Sequence, residues 1–524
     1  MTFQSPFPDV AIPNTSVYDC VFGGLADTDA DRTALIDAST GTGISYRDLM
    51  DRIDGFAAAL ARRRIGVGDV VALLSPNSLA YAVAFHGILR AGATATTVNA
   101  LFTAEEIAVQ LRDSQARLVI TAERLRPQAL EAATAAGLST HDVLVLGSAE
   151  LANLDSHSCP DADFDPATHI AVLPYSSGTT GRPKGVMLTH RNLVANVAQL
   201  LPVTGLGPAE TVIGVIPFFH SYGMTGLLCA ALRARARVVV MPAFDLAEFL
   251  ANIENYRCTQ AYIAPPVAVA LAKHPVVDSF NLSSLRTMTS AAAPLDDKLA
   301  TAVMQRLNCR VVQAYGMSEL SPASHIVPSD GGLNFVGIEA PADSCGWTIA
   351  NSESKLVEVG SGAEIPLPTA GLSEPGELWF RGPNVMAGYL NNDAATASTI
   401  DADGFLHTGD LARVDSHGCV YIVDRVKELI KYKGHQVPPA ELEALLLTHP
   451  AIVDAAVVAA TDTDSGEEIP KAFVVANSAD SLTAGEVMDF VARNVAPFKK
   501  IRQVEFIDAI PKSVTGKILR KQLR

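Results

Sequence analysis

The chain predicts an α/β protein with two parts. A large N-terminal domain of mixed, largely parallel sheets with flanking helices precedes a small α+β C-terminal domain. Three observations carry this reading. Short apolar runs of strand length alternate with stretches of helical period up to Asp424. Hydrophobic residues make up 48 % of the 524 and charged residues 18 %, enough for several large cores. After Asp424 the texture changes, and Arg425, Lys427, Lys431 and Lys433 crowd into nine residues.

Taken in order, Ser45 and Asp48 have the S-x-x-D form of a capping box. Behind them Leu49, Ile53, Phe56 and Leu60 recur at helical spacing. Residues 70–74 read as a buried strand and 79–89 as a helix. Further short apolar strands are expected at 118–121, 143–146, 170–173, 238–241, 261–264 and 311–312. Such alternation implies parallel sheets with helices on their faces. In the second part, residues 440–447 form an acidic helix, and 455–459 and 472–475 form strands. Thr483 and Glu486 make another capping box, and 504–507 is a last strand before a basic tail. The expected domains are residues 1–424 and 425–524.

The net charge of −16, from 40 Lys and Arg against 56 Asp and Glu, makes the chain a poor candidate for sequence-independent nucleic-acid binding. It leaves room for a local basic pocket around a small phosphorylated ligand. Seven scattered cysteines with no CxxC pair fit a reducing compartment. The first residues lack the basic and apolar regions of a secretory signal. The apolar stretch 212–241 is broken by Pro217, His220, Arg233, Arg235 and Arg237, so no membrane span is expected. The terminal KQLR is not a peroxisomal address. These features predict a soluble cytoplasmic protein, as monomer or homodimer.

The strongest chemical signal is Ser176-Ser177-Gly178-Thr179-Thr180-Gly181-Arg182-Pro183-Lys184-Gly185. Its glycines let backbone N–H groups approach anionic oxygens, its hydroxyls add donors, and Lys184 adds a cation. It lacks the G-x-x-x-x-G-K-[ST] spacing of a Walker loop, which disfavours a kinase or GTPase. No G-x-S-x-G elbow and no H-E-x-x-H pair occurs.

With its preceding Tyr175, this string resembles the signature of the adenylate-forming superfamily of acyl-CoA synthetases, luciferases and adenylation domains. Other stretches agree in order: Gln313-Ala314-Tyr315-Gly316-Met317-Ser318-Glu319, Gly388-Tyr389, Thr408-Gly409-Asp410, Val423-Asp424-Arg425, Lys431-Tyr432-Lys433-Gly434 and Pro511-Lys512-Ser513-Val514-Thr515-Gly516-Lys517. Within the superfamily the chain is most similar to 4-coumarate:CoA ligases and bacterial cinnamate:CoA ligases.

The resemblance implies a two-step reaction using ATP, Mg²⁺ and coenzyme A. A carboxylate attacks the α-phosphate to give acyl-AMP and pyrophosphate, and the CoA thiol then displaces AMP. By the same resemblance Ser176, Ser177, Gly178, Thr179, Thr180, Gly181 and Lys184 cradle the phosphates. Glu319 and Thr179 hold Mg²⁺, and Ser318 meets the α-phosphate. Gln313, Ala314, Tyr315 and Gly316 line the nucleotide site, with Tyr315 stacked on adenine. Asp410 accepts the ribose hydroxyls, supported by Arg425. Lys517 bridges carboxylate and α-phosphate, and His220 orients the carboxylate and gates the thiol. The small domain rotates about Arg425–Lys427 between the steps. Lys427, Lys431, Lys433 and Gln436 lie toward the nucleotide end, and Gly434 lets pantetheine pass.

The acyl pocket is expected to be lined by His220, Tyr222, Gly226, Ala292, Ala314, Leu320, Pro322 and Ala323, with the Tyr222 hydroxyl free to pair with a phenol. These residues suit a flat aromatic acid of the cinnamate or 4-coumarate type. Medium- or long-chain fatty acids, and transfer to a carrier protein, are the competing readings. Ala243 stands where many relatives carry a basic residue toward CoA, which puts CoA affinity in question.

Overall fold

A computed structural model describes residues 2–151, 159, 161–176, 183–432, 435–462, 468–477, 482–513 and 516–523, with only the backbone of Gln436. Among the described residues the first apolar runs build two large sheets. One holds nine strands in the order Trp347–Thr348, Ala323–Ile326, Arg310–Gly316, Thr287–Ser290, Gln260–Ile263, Thr211–Gly214, Arg237–Val240, Thr33–Asp37 and Gly43–Ser45. The stretch from Arg310–Gly316 to Thr33–Asp37 is parallel, and the outer pairs are antiparallel. The other runs Gly388–Tyr389, Lys184–Thr189, Ile170–Val172, Thr94–Val98, Val70–Leu74, Leu118–Thr121 and Val143–Val145, with Tyr175–Ser176 beside Lys184–Thr189.

Both faces of these sheets are covered, which is why their strands read as continuous apolar runs. Val71 and Leu73 face one core, and Ala72 and Leu74 face another. Val238 and Val240 join the first core, while Val239 points to a third. The shared core takes Leu49, Ile53, Ile88 and Val194 from the helices Tyr46–Arg62, Leu79–Arg90 and His190–Thr204. Each buried aliphatic side chain contributes about 1.5–3 kcal/mol to this layer. The Ser45–Asp48 and Thr483–Glu486 boxes both form.

A third, antiparallel sheet was not expected. It joins Phe3–Gln4, Glu353–Val357, Gly376–Arg381, Leu406–Val414 and Val420–Arg425, with Glu364–Ile365 on Glu353–Val357. Its strands alternate buried with partly exposed residues, as in Gly376–Arg381. They therefore lack the apolar runs that mark the other two sheets.

From Ile430 onward the chain has an apolar cluster of its own, with Ile430, Leu442, Leu446, Val457, Val474, Val487 and Val491. Here Ile452–Thr461 and Glu468–Ala476 pair antiparallel, and Gln503–Phe506 adds in parallel. The stretch 212–241 is strand, a wide π-wound helix Tyr222–Cys229, a short helix and strand. Among the described residues no helix is long and apolar enough to cross a membrane.

Candidate active site

The Gly-rich string joins two paired strands. Ser176 stands opposite Lys184 in the hairpin of Tyr175–Ser176 and Lys184–Thr189. Ser177, Gly178, Thr179, Thr180 and Gly181 lie outside the described residues, as do Lys433 and Gly434. Ser176 Oγ donates to Glu319 Oε1 at 3.0 Å. Tyr389 Oη donates to the same oxygen at 2.9 Å, and Lys184 Nζ rests 4.7 Å above the Tyr389 ring. Glu319 is only 4 % exposed, and its Oε2 meets no partner among the described residues. That leaves Oε2 as a charged oxygen acceptor for a ligand, of the kind that suits a hard cation. Among the described residues no cluster of three or more His, Cys, Asp or Glu would hold a metal alone. The donor set therefore suits Mg²⁺ shared with phosphate oxygens and water. Tyr389, read from the sequence only as a landmark, is thus a holder of Glu319.

A second group surrounds Asp410. It sits opposite Arg425 across Leu406–Val414 and Val420–Arg425, with Arg425 Nε 3.4 Å from Asp410 Oδ1. Tyr315 Oη donates to Asp410 Oδ2 at 2.5 Å. Burial pushes the Asp410 carboxyl above its ordinary range, against the pull of Arg425 and Lys517. Gly316 ends the strand carrying Tyr315, and a Cβ there would lie 1.9 Å from the Pro322 carbonyl oxygen. Only glycine allows that approach. Ser318 Oγ lies 3.5 Å from Ser221 Oγ, at the start of the helix bearing Tyr222.

Lys517 reaches this site from the C-terminal segment. Its loop is closed by Ser513 N–H to Lys517 carbonyl at 2.8 Å and by Lys517 N–H to Ser513 Oγ at 3.1 Å. Gly516 has φ +81°, and a Cβ there would come within 2.9 Å of Pro266 Cγ. The loop thus docks against the start of the helix Pro265–Lys273. Burial, helped by Arg425, lowers the Lys517 ammonium to about 8, while Asp410 and Glu428 oppose the shift. Burial and then the Lys517 charge lower His220 to about 4, so its ring is neutral at pH 7. Tyr222 N–H donates to His220 Nδ1 at 3.3 Å, which assigns the ring proton to Nε2. His220 therefore offers an N–H donor to a ligand oxygen.

Two of the expected site residues carry hydrogen bonds within the fold. Gln313 is 5 % exposed, and its amide is spent on Leu295 N–H (3.0 Å), the Leu295 carbonyl (2.9 Å) and the Ala342 carbonyl (2.6 Å). It shapes the backbone beside the site and leaves no side-chain donor for a nucleotide. Tyr222 Oη donates to the Thr289 carbonyl at 2.9 Å, which commits its proton and leaves its oxygen as an acceptor. A buried tyrosine takes the nearest carbonyl when a helix lays it on the end of a sheet.

Of the other expected pocket residues, Gly226 and Pro322 lie beside Tyr222. A Cβ on Gly226 would meet the Tyr222 ring at 3.4 Å and Pro322 Cγ at 3.7 Å. Leu320 and Ala323 are buried in the same apolar cluster, with Ala314 packed against it. Ala292 is exposed with φ +76°, and Ser321 has φ +69°. Left-handed backbone at non-glycine residues stores strain, and strain of this kind collects at binding sites. Lys427 and Lys431 are exposed, and the Lys431 N–H is held by Glu468 at 2.8 Å. Ala243 is exposed as well.

Known proteins match the chain over nearly its whole length. Residues 25–390 match the family model described as AMP-binding enzyme, and 441–517 match the AMP-binding enzyme C-terminal domain. The chain is 42 % identical to 4-coumarate–CoA ligase 5 of Oryza sativa subsp. japonica, covering 100 % of this chain and 96 % of that one. It is 39 % identical to 4-coumarate:CoA ligase 1 of Petunia hybrida over the same shares. Among solved structures, an anthranilate CoA ligase holding anthranoyl-AMP superposes with TM-score 0.88 at 25 % identity, over 97 % of this chain and 96 % of that one. A benzoate CoA ligase from Burkholderia xenovorans LB400 gives 0.84 at 26 %, over 97 % and 100 %.

Proposed function

The chain belongs to the AMP-binding enzyme family, and from that premise we propose how its residues activate an arylacrylic acid of the 4-coumarate type and pass it to coenzyme A. It is an ATP-dependent, AMP-forming acid–CoA ligase. The observation that carries the residue roles is the nearness of the Lys517 ammonium to Asp410, Arg425 and His220, whose charges it shares or perturbs. In the first step a carboxylate oxygen bonds to the α-phosphorus of ATP, the bond to the bridging oxygen breaks, and pyrophosphate leaves. Two anions must meet, so the site supplies positive charge fixed in advance. The Lys517 ammonium lies between carboxylate and α-phosphate, Lys184 faces the outer phosphates, and the His220 Nε2–H holds the carboxylate. Asp410 takes the ribose, with its free lone pairs as acceptors. Glu319 would hold Mg²⁺, which when bound neutralises phosphate charge. In the second step the CoA sulfur bonds to the acyl carbon and the carbon–oxygen bond to AMP breaks. The seven cysteines form no disulfide, which fits a cytoplasmic setting.

Product mass analysis tests this. The protein is incubated with ATP, Mg²⁺, CoA and cinnamate, 4-coumarate, ferulate, benzoate, octanoate or palmitate. Cinnamoyl- or coumaroyl-CoA is expected. Octanoyl- or palmitoyl-CoA as the main product would refute the aromatic reading. Acyl-AMP accumulating without thioester would refute use of CoA and turn attention to Ala243 or a carrier protein.

The lowered Lys517 also sets a pH dependence. Its charged form is present below about 8 and lost above it. Adenylation kcat/KM should therefore fall on the alkaline side with an apparent pKa near 8 in the free enzyme. Lys517→Arg, charged throughout, should be slower but lack that limb. Pyrophosphate exchange across pH 6.5 to 10 reads this without the CoA thiol; an identical limb in the variant would refute the assignment.

A further inference from the structure

We infer that Asp113, a residue outside every motif above, is a positioning residue for ATP: through Tyr175 it fixes the hairpin from which Ser176 and Lys184 face the phosphates. The inference rests on the phosphate-facing role given above to Lys184 and Glu319. Tyr175 and Ser176 are consecutive on one strand, so their side chains leave it on opposite sides. Across the hairpin Ser176 stands opposite Lys184, and Tyr175 opposite Gly185. Ser176 and Lys184 therefore share one face, and Ser176 turns there to Glu319. Tyr175 turns the other way, and its Oη donates to Asp113 Oδ2 at 2.6 Å. A hydroxyl bond this short to a carboxylate is charge-assisted. Burial, then the bond to Asp113 and its charge, push the Tyr175 phenol up, against a weaker pull from Ser114, so the proton stays on Oη.

The place of Asp113 argues that the contact has a use. It is the last residue of the helix Ala104–Asp113. A carboxylate in the last turn meets the negative end of the helix dipole, where Lys or Arg is favoured. A charge kept there against the local preference is explained by its distant partner. The same helix end is tied to the strand that holds Glu319. Asn391 Nδ2 donates to the Asp113 carbonyl at 3.2 Å, and Leu390 N–H donates to the Gly185 carbonyl at 2.8 Å. Tyr389, next in line, donates to Glu319 and lies under the Lys184 ammonium. A Cβ on Gly185 would lie 3.1 Å from Tyr175 Cζ and 3.2 Å from Leu390 Cβ, so the phenol packs directly on the backbone beside Lys184. Asp113 thus braces both strands of the hairpin from the side away from Glu319. Without its bond the hairpin keeps its backbone pairing, but the phenol loses its anchor. The consequence falls on ATP and not on the acid.

The test measures pyrophosphate exchange with ATP and the acid that the parent adenylates best, each varied in turn. Tyr175→Phe keeps the ring and removes the bond, and Asp113→Ala removes the acceptor. Each should raise KM for ATP about five- to tenfold, below the full worth of a hydrogen bond to a charged group because the backbone pairing persists. KM for the acid and the melting temperature should change little. Asp113→Asn, whose amide oxygen still accepts from the phenol, should recover most of the loss. Combining Tyr175→Phe with Asp113→Ala should be no worse than either alone, because both remove the same bond. An unchanged KM for ATP in the single variants, or an equal rise for ATP and acid, would make the pair a packing contact and overturn this inference alone. Lys184→Ala tests the reading beneath it. If that variant kept the parent's KM for ATP, the phosphate-facing role would fall, and this inference with it.

Discussion

Replacing Lys517 by alanine is expected to cut acyl-AMP formation by about 10²–10³-fold while leaving thioester formation from supplied acyl-AMP largely intact. The size follows from the charge it handles. In adenylation, negative charge gathers where carboxylate and α-phosphate meet, and a fixed cation in a water-poor site is worth several powers of ten less barrier than solvent. In the proposed mechanism Lys517 is that cation. Its loop is pinned by Ser513 and docked on Pro266, and its charge is felt by both His220 and Asp410. In the second step the charge develops on the acyl oxygen as sulfur approaches, and AMP leaves as a stable anion. The Lys517 ammonium has no comparable task there. Pyrophosphate exchange measures the first half-reaction, and release of AMP from acyl-AMP with CoA measures the second. Equal loss in both would show that Lys517 supports the fold of the small domain or the whole cleft, and not the adenylation step.

The same residues show what could be read before the structure. The ordered motifs that resemble the family's pointed to Lys517, Asp410, Arg425 and Glu319, whereas composition alone leaves Lys517 one basic residue of the tail among several. The parallel strands were legible because burial on both faces writes continuous apolar runs, as at Val70–Leu74. The antiparallel sheet was not legible, although it carries Asp410 and Arg425. Its strands bury alternate residues, and Leu406–Val414 includes His407, Gly409, Asp410 and Arg413. Hydrogen-bond commitments were equally hidden. No spacing rule reveals that the Gln313 amide is spent on Leu295 and Ala342, or that the Tyr222 proton goes to Thr289. Those depend on which carbonyls a neighbouring element leaves unpaired.

Glu319→Gln should lower adenylation by about 100-fold at fixed Mg²⁺, with partial recovery as Mg²⁺ is raised. The substitution is chosen for what it keeps. Ser176 and Tyr389 both donate to Oε1, and an amide oxygen accepts those bonds as a carboxylate oxygen does. Packing is preserved, since the two side chains have nearly the same shape. What disappears is the negative charge at a residue 4 % exposed, and with it the attraction for a divalent cation. Hard cations bind through charged oxygens, and one carboxylate supplies most of what the protein contributes here. The effect should therefore fall on the Mg²⁺ dependence first, with ATP affinity at saturating Mg²⁺ changed less. Titrating Mg²⁺ at several ATP concentrations separates the two. If Glu319→Gln kept the parent's Mg²⁺ midpoint while losing rate, Glu319 would be acting through Tyr389 and Lys184, whose ammonium lies over that ring. Tyr389→Phe would then reproduce the loss, because it removes the hydroxyl linking the two and leaves the Glu319 charge in place.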